Sequence, residues 1–153
     1  METPCRVVDT RQLLGAYEEL LPQVAELPLC ISGNSMAPFL RDGRDTVFLS
    51  SIHAPLKVGD MVLYRRRNGQ YILHRICKIQ GDTCTMIGDN QLGAEPGISR
   101  SQIIARVHRV IRKGKTLTPH SFCWLFFEKV WVRMLPLRPL CHKCWHALKN
   151  LKR

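Results

Sequence analysis

Val58-Gly59-Asp60-Met61-Val62-Leu63-Tyr64-Arg65-Arg66-Arg67-Asn68-Gly69-Gln70-Tyr71-Ile72-Leu73-His74-Arg75-Ile76 is the stretch whose reading decides the fold. Two apolar runs flank Asn68-Gly69, the strongest short signal for a hairpin, because both central positions of a type I′ turn need φ > 0. Met61–Arg66 is therefore read as a strand, returned by a strand from Gln70 to about Ile79. Side chains alternate along a strand, so Ile72, His74 and Ile76 share one face and Leu73, Arg75 and Cys77 the other. A two-residue loop would set His74 opposite Leu63. Arg65-Arg66-Arg67 reads as a solvated strand end, with contact to an acidic substrate or lipid as the alternative.

Working outward, residues 27–32, 46–49, 83–87 and 103–111 read as further strands, separated by Gly33-Asn34, Arg41-Asp42-Gly43, Val58-Gly59-Asp60 and Gly81-Asp82. Residues 88–99, rich in Gly, Pro and acid, read as a loop. Upstream, Leu13, Leu14, Tyr17, Leu20 and Leu21 recur at helical spacing between a capping Asp9 and Pro22, which predicts an amphipathic helix over about 10–21. The expected fold class is mainly β, with a leading helix and a C-terminal helical tail. Residues 1–115 would form the module and 116–153 the tail.

Charge supports that division. The 153 residues hold 23 Lys+Arg and 12 Asp+Glu, a net of +11. Residues 1–99 carry 10 basic and 11 acidic side chains, a net of −1; residues 100–153 carry 13 basic side chains and one acid, Glu128, a net of +12. The inference from basic charge to an anionic partner thus applies to the tail alone. The composition, 45% hydrophobic and 23% charged, excludes a disordered chain. No period of 20–50 residues marks a solenoid. A membrane span needs about 20 nearly uncharged apolar residues. The longest charge-free stretch, Leu27–Leu40, has 14 and is broken by Pro28, Gly33 and Pro38. No secretory signal is evident at the N-terminus, and seven cysteines read as reduced thiols, so a cytoplasmic chain is expected. Residues ~121–135 and ~140–152 can each be helical, with Pro136 and Pro139 as breaks. The first is too apolar for a free surface helix. It must pack on the module, meet a partner or lie peripherally in an anionic membrane interface, with nucleic acid the less favoured partner. Cys141, His142, Cys144 and His146 invite a zinc reading, but no second distant pair completes such a site, and no metal or other cofactor is expected.

Three separated pieces carry the chemistry: Ser32-Gly33-Asn34-Ser35-Met36-Ala37-Pro38, Tyr71-Ile72-Leu73-His74-Arg75-Ile76, and Gly88-Asp89-Asn90 with Glu95 further on. Ser-Met-x-Pro after a Gly turn, then Val-Gly-Asp-Met-Val-Leu-Tyr, then His-Arg-Ile, then Gly-Asp-Asn, in this order, resembles the signal peptidase I superfamily, which includes the self-cleaving LexA-type domains. The resemblance covers about residues 28–110. It implies a coiled β-sheet module and makes Ser35 the nucleophile. Bacterial members place a lysine base where this chain has His74; endoplasmic-reticulum and archaeal members place histidine, so the chain resembles the Ser-His branch. Asp89 matches the first of that branch's two acids. Glu95 falls at the second, where the relatives have Asp. Either acid is a candidate to orient His74.

The chemistry of these residue types agrees. A serine hydroxyl needs a neighbour to remove its proton, and a neutral imidazole does so near pH 7. A carboxylate on the far ring nitrogen fixes the tautomer and steadies the imidazolium. The Ser35 N–H, freed by the Gly33-Asn34 turn, is the natural oxyanion donor. Some relatives add a hydroxyl two residues before the nucleophile. That position here is Gly33, so Ser32 would have to supply it. The plainer roles are a turn cap for Ser35, a satisfied core histidine for His74, a turn former for Asp89, a loop acid for Glu95 and a surface strand residue for Arg75. The leading expectation is a serine endopeptidase that cleaves a leader or signal segment of a peptide or protein precursor after small residues. The alternative is a non-catalytic or self-cleaving LexA-like module that docks on a membrane or nucleic acid through its tail.

Overall fold

The computed structural model describes residues 10–141, 143 and 144. Helix α1 spans Thr10–Leu20 and tightens into a 3₁₀ turn, Leu21–Gln23, around Pro22. Leu14 and Leu21 are its buried anchors, and the Tyr17 hydroxyl donates to the Pro28 carbonyl at 2.6 Å. The helix is thereby pinned to the first strand. Asp9, its expected cap, lies outside the described residues.

Eight antiparallel strands follow: β1 Leu27–Cys30, β2 Thr46–Ser50, β3 Met61–Arg65, β4 Tyr71–Gln80, β5 Thr83–Ile87, β6 Glu95–Ser99, β7 Ile103–Arg112 and β8 Lys115–Leu117. The order across the sheet is β1-β2-β7-β3-β4-β5-β6, with β8 paired to β7. β3 lies mid-sheet and its residues Met61–Tyr64 are buried on both faces, which is why that run is apolar without alternation. One face packs Leu63, Leu49, Phe39 and Leu40 with α1 and the tail; the other packs Val62, Tyr64, Ile76, Met86, Ile98 and Ile103. Irregularities at Phe48/Leu49, Leu63/Tyr64, Ile76/Lys78 and Cys84/Met86 break the ladders in four places, each a point where a sheet bends and twists more sharply.

The sheet corrects the sequence reading in three places. The hairpin loop holds three residues, not two: the Arg66 N–H donates to Gln70, the Gly69 N–H to Arg66, and only Gly69 has φ > 0. This is a turn closed by one left-handed glycine. It moves the register by one, so His74 lies opposite Val62 rather than Leu63. A one-residue slip changes the face met across the ladder, and here it sets His74 beside Tyr64. Second, the expected loop 88–99 contains β6, whose Pro96 and Gly97 hide it from propensity. Third, β8 follows the turn at Lys113-Gly114, both with φ > 0.

The C-terminal segment runs as an α turn, Phe122–Leu125, a π turn, Phe126–Val130, and a 3₁₀ stretch, Trp131–Leu137. Pro136 sits inside it, with Met134 off helical geometry two residues earlier, so the proline kinks the segment rather than ending it. Residues 138–141 are helical again; most of the expected second helix lies outside the described residues. Trp124 and Phe127 pack on Phe39 with ring centroids 6.0 and 5.0 Å away. The π turn lies against Gly59, where a Cβ would come within 2.4 Å of the Glu128 carbonyl oxygen. Glu128, the tail's lone acid, is buried and paired with Lys57 at 2.8 Å. No helix among the described residues is long and apolar enough to cross a membrane.

Candidate active site

Ser35 and His74 line one cleft of about 390 Å³, together with Leu29–Ser32 and Tyr71–Leu73. The turn that carries Ser35 is fixed at both sides. The Gly33 N–H donates to the Asp42 carboxylate at 3.0 Å, the Asn34 carbonyl accepts from Ala37, and the Ser35 carbonyl accepts from Asn90 at 2.9 Å. Gly33 is at φ +81, which glycine adopts without strain. With its N–H engaged, Gly33 is not an oxyanion donor. Ser32 is exposed on the cleft wall.

The approach of serine loop, histidine and Gly88 is close. A Cβ on Gly88 would stand 2.4 Å from the Ser35 carbonyl oxygen and 3.1 Å from His74 Nε2. The glycine before Asp89 is thus there because backbone and imidazole occupy the space a side chain would fill. His74 is buried. Burial, then the Arg66 cation, lower its pKa to about 4, opposed by the Glu95 carboxylate, so the ring is neutral at pH 7.

The two candidate acids have parted company. Asp89 and Arg75 are both fully buried, and Arg75 Nε donates to both Asp89 oxygens at 2.9 and 3.1 Å. Arg75 Nη1 donates to the Gly59 carbonyl, and the guanidinium lies 5.0 Å from the Phe39 ring centroid. Arg75 is therefore an interior strut, not a surface strand residue. No hydrogen bond joins Asp89 to His74; β4 points the two side chains of positions 74 and 75 to opposite faces. Burial pushes the Asp89 carboxyl upward against the pull of Arg75.

Glu95 is the acid on the histidine side, and it acts through a residue that the sequence reading passed over. The Tyr64 hydroxyl donates to Glu95 Oε2 at 2.7 Å and lies 3.4 Å from His74 Nδ1. Its single proton goes to the carboxylate, the stronger acceptor, which leaves the phenol oxygen to accept from Nδ1–H. That assigns the Nδ1–H tautomer and leaves the Nε2 lone pair facing Gly88 and the serine loop. Burial and Glu95 raise the Tyr64 pKa, so the phenol keeps its proton. Arg66 grips Glu95 through Nε and Nη2 at 2.8 and 2.7 Å and donates to Gln70 Oε1. These contacts hold the Glu95 carboxyl below its usual range. Arg66 is thus part of this network rather than only a solvated strand end.

The tail reaches the same site from behind. Trp131 Nε1 donates to the Asp89 carbonyl at 2.8 Å. Arg138, fully buried, donates through Nη1 to the Gly88 and Gln91 carbonyls, both at 2.9 Å, and through Nη2 to Trp131. The loop that presses on Ser35 and His74 is therefore held by the tail's inner face. Tyr64, Trp131 and Arg138 were invisible as site residues because each reaches its partner across a large sequence separation. Among the described residues no group of His, Cys, Asp and Glu is placed to hold a metal ion; His142 and His146 of the zinc reading lie outside them.

Searched against protein-family models and against curated proteins, the chain matches none.

Proposed function

We propose that the chain is a serine endopeptidase of signal-peptidase type, on the coiled β module shared with LexA-like domains, and that it cleaves a leader or signal segment of a precursor after small residues. The observation that carries this reading is the convergence of the Ser35 loop and His74 Nε2 on Gly88 within one open cleft. Neutral His74 takes the Ser35 Oγ proton as Oγ adds to the scissile carbonyl. The imidazolium then gives that proton to the leaving amine, and an acyl-enzyme on Ser35 remains. Water, deprotonated by the same Nε2, attacks the ester and regenerates the serine. Positive charge on the ring is met by Glu95 through the Tyr64 hydroxyl.

One strand edge supports an extended peptide substrate. Among the described residues Tyr71–His74 pairs with β3 on one side alone, because β5 joins β4 from Arg75 onward. This edge lines the cleft. Its outward backbone groups can hold a peptide as an added strand. Cleavage of precursor peptides with alanine before the scissile bond, followed by mass spectrometry, tests the reading. Ser35→Ala and His74→Ala are each expected to lose on the order of 10⁴-fold or more in kcat. Cleavage by both variants at the wild-type rate overturns it.

A further inference from the structure

The geometry points to the outer face of the C-terminal helical segment as a docking surface for an anionic lipid bilayer. This inference stands on the surface alone and does not rest on peptidase activity. The inner face is spent on the module through Trp124, Phe127, Glu128, Val132 and Arg138, all buried. The outer face keeps a run of apolar side chains in water: Phe122 is 86% exposed, Leu140 60%, Leu137 52% and Val130 44%, with Phe126 between them. Phe122, Phe126 and Val130 recur at intervals of four, which sets them along one side of the helical turns. A phenylalanine with almost its whole ring in water is unusual in a folded chain, and a row of such residues marks a surface with a partner.

Charge selects the partner. The exposed charged positions along the described part of this segment are Lys129, Arg133 and Lys143. The one acid after residue 100, Glu128, is turned inward and neutralised by Lys57. The outer face therefore offers apolar side chains and cations with no carboxylate among them. Apolar groups that enter the acyl boundary while flanking cations meet lipid phosphates are the signature of a helix lying in a membrane interface. A nucleic acid would use the cations and aromatic rings, but it has no use for Val130, Leu137 and Leu140. Trp131 and Arg138 on the inner side of the same segment hold the Gly88–Gln91 loop, so docking would seat the candidate cleft's supporting loop next to the bilayer.

Co-sedimentation of the full chain with extruded vesicles tests this. Binding is expected to vesicles containing phosphatidylglycerol, to weaken as salt is raised, and to be at least tenfold weaker on phosphatidylcholine alone. Each cation near an anionic surface contributes about a fivefold gain, so Lys129→Gln/Arg133→Gln/Lys143→Gln is expected to lose about a hundredfold. Phe122→Ser/Leu137→Ser/Leu140→Ser is expected to lose tenfold or more at any salt. All six positions are exposed, and either triple variant carries the test alone. No partition of the wild-type chain, wild-type partition by both variants, or a gel shift with nucleic acid in place of vesicle binding overturns the proposal.

Discussion

Two arginine–carboxylate pairs flank His74, built from the same groups and set to different tasks. Arg75–Asp89 is sealed from solvent, on the face of the sheet that the tail covers. Arg66–Glu95 is about one third exposed at the mouth of the cleft. The first pair braces the Gly88-Asp89 loop from beneath and touches neither ring nitrogen of His74. The second reaches Nδ1 through one phenol. What separates them is the face of β4 from which each is approached: position 75 points into the core under Phe39, while position 74 points toward Tyr64. An acid next to the glycine that presses on His74 is thus no guide to which acid reaches the imidazole. A buried ion pair holds a loop in place; a partly solvated one can answer a charge that comes and goes.

The largest expected effect separates the pairs by stability. Asp89→Ala leaves Arg75 charged and buried with no counter-ion, and its Nη2 is already without a partner. The expected loss is about 3–5 kcal/mol in a urea titration. Glu95→Ala, at a partly exposed site, should cost about 1 kcal/mol or less. Equal losses would show that both pairs are structural.

The reverse ordering is expected for activity at matched stability. Tyr64→Phe removes only the hydroxyl, and Glu95→Gln removes only the charge behind it. Each should lower kcat on a cleavable peptide by about 10- to 100-fold, with KM little changed, and the double variant should be no worse than the poorer single one. Additive losses would mean that Tyr64 and Glu95 act separately.

A further effect is on pH dependence. His74 has its pKa lowered to about 4 in the folded chain, against about 6.5 in an unfolded one. The unfolded chain therefore binds more protons between these values, and the folded state loses stability as pH falls from about 6.5 toward 4. At pH 4.5 this amounts to roughly 2–3 kcal/mol. His74→Asn should be less sensitive than wild type by that amount in urea titrations at pH 7 and 4.5. The acid limb of kcat/KM should likewise fall near pH 4. A limb at 6.5 would mean that the imidazole is better solvated than its burial implies.

The sequence by itself determined what depends on neighbours along the chain. Turn residues and the apolar runs between them mark the strands β1 to β5 and β7, and the alternation along β4 puts Ile72, His74 and Ile76 on one face. The family resemblance of the blocks around Ser35, His74, Asp89 and Glu95 names the candidate groups. It could not rank the two acids, place the hairpin register, find β6 behind Pro96 and Gly97, or show which tail residues turn inward. Those outcomes rest on contacts between distant segments: Tyr64 with Glu95, Arg75 with Asp89, Trp131 and Arg138 with the Gly88–Gln91 loop. Only the tertiary structure decides them, because burial and hydrogen-bond geometry are set by what covers a side chain, and nothing local in the sequence states what that will be.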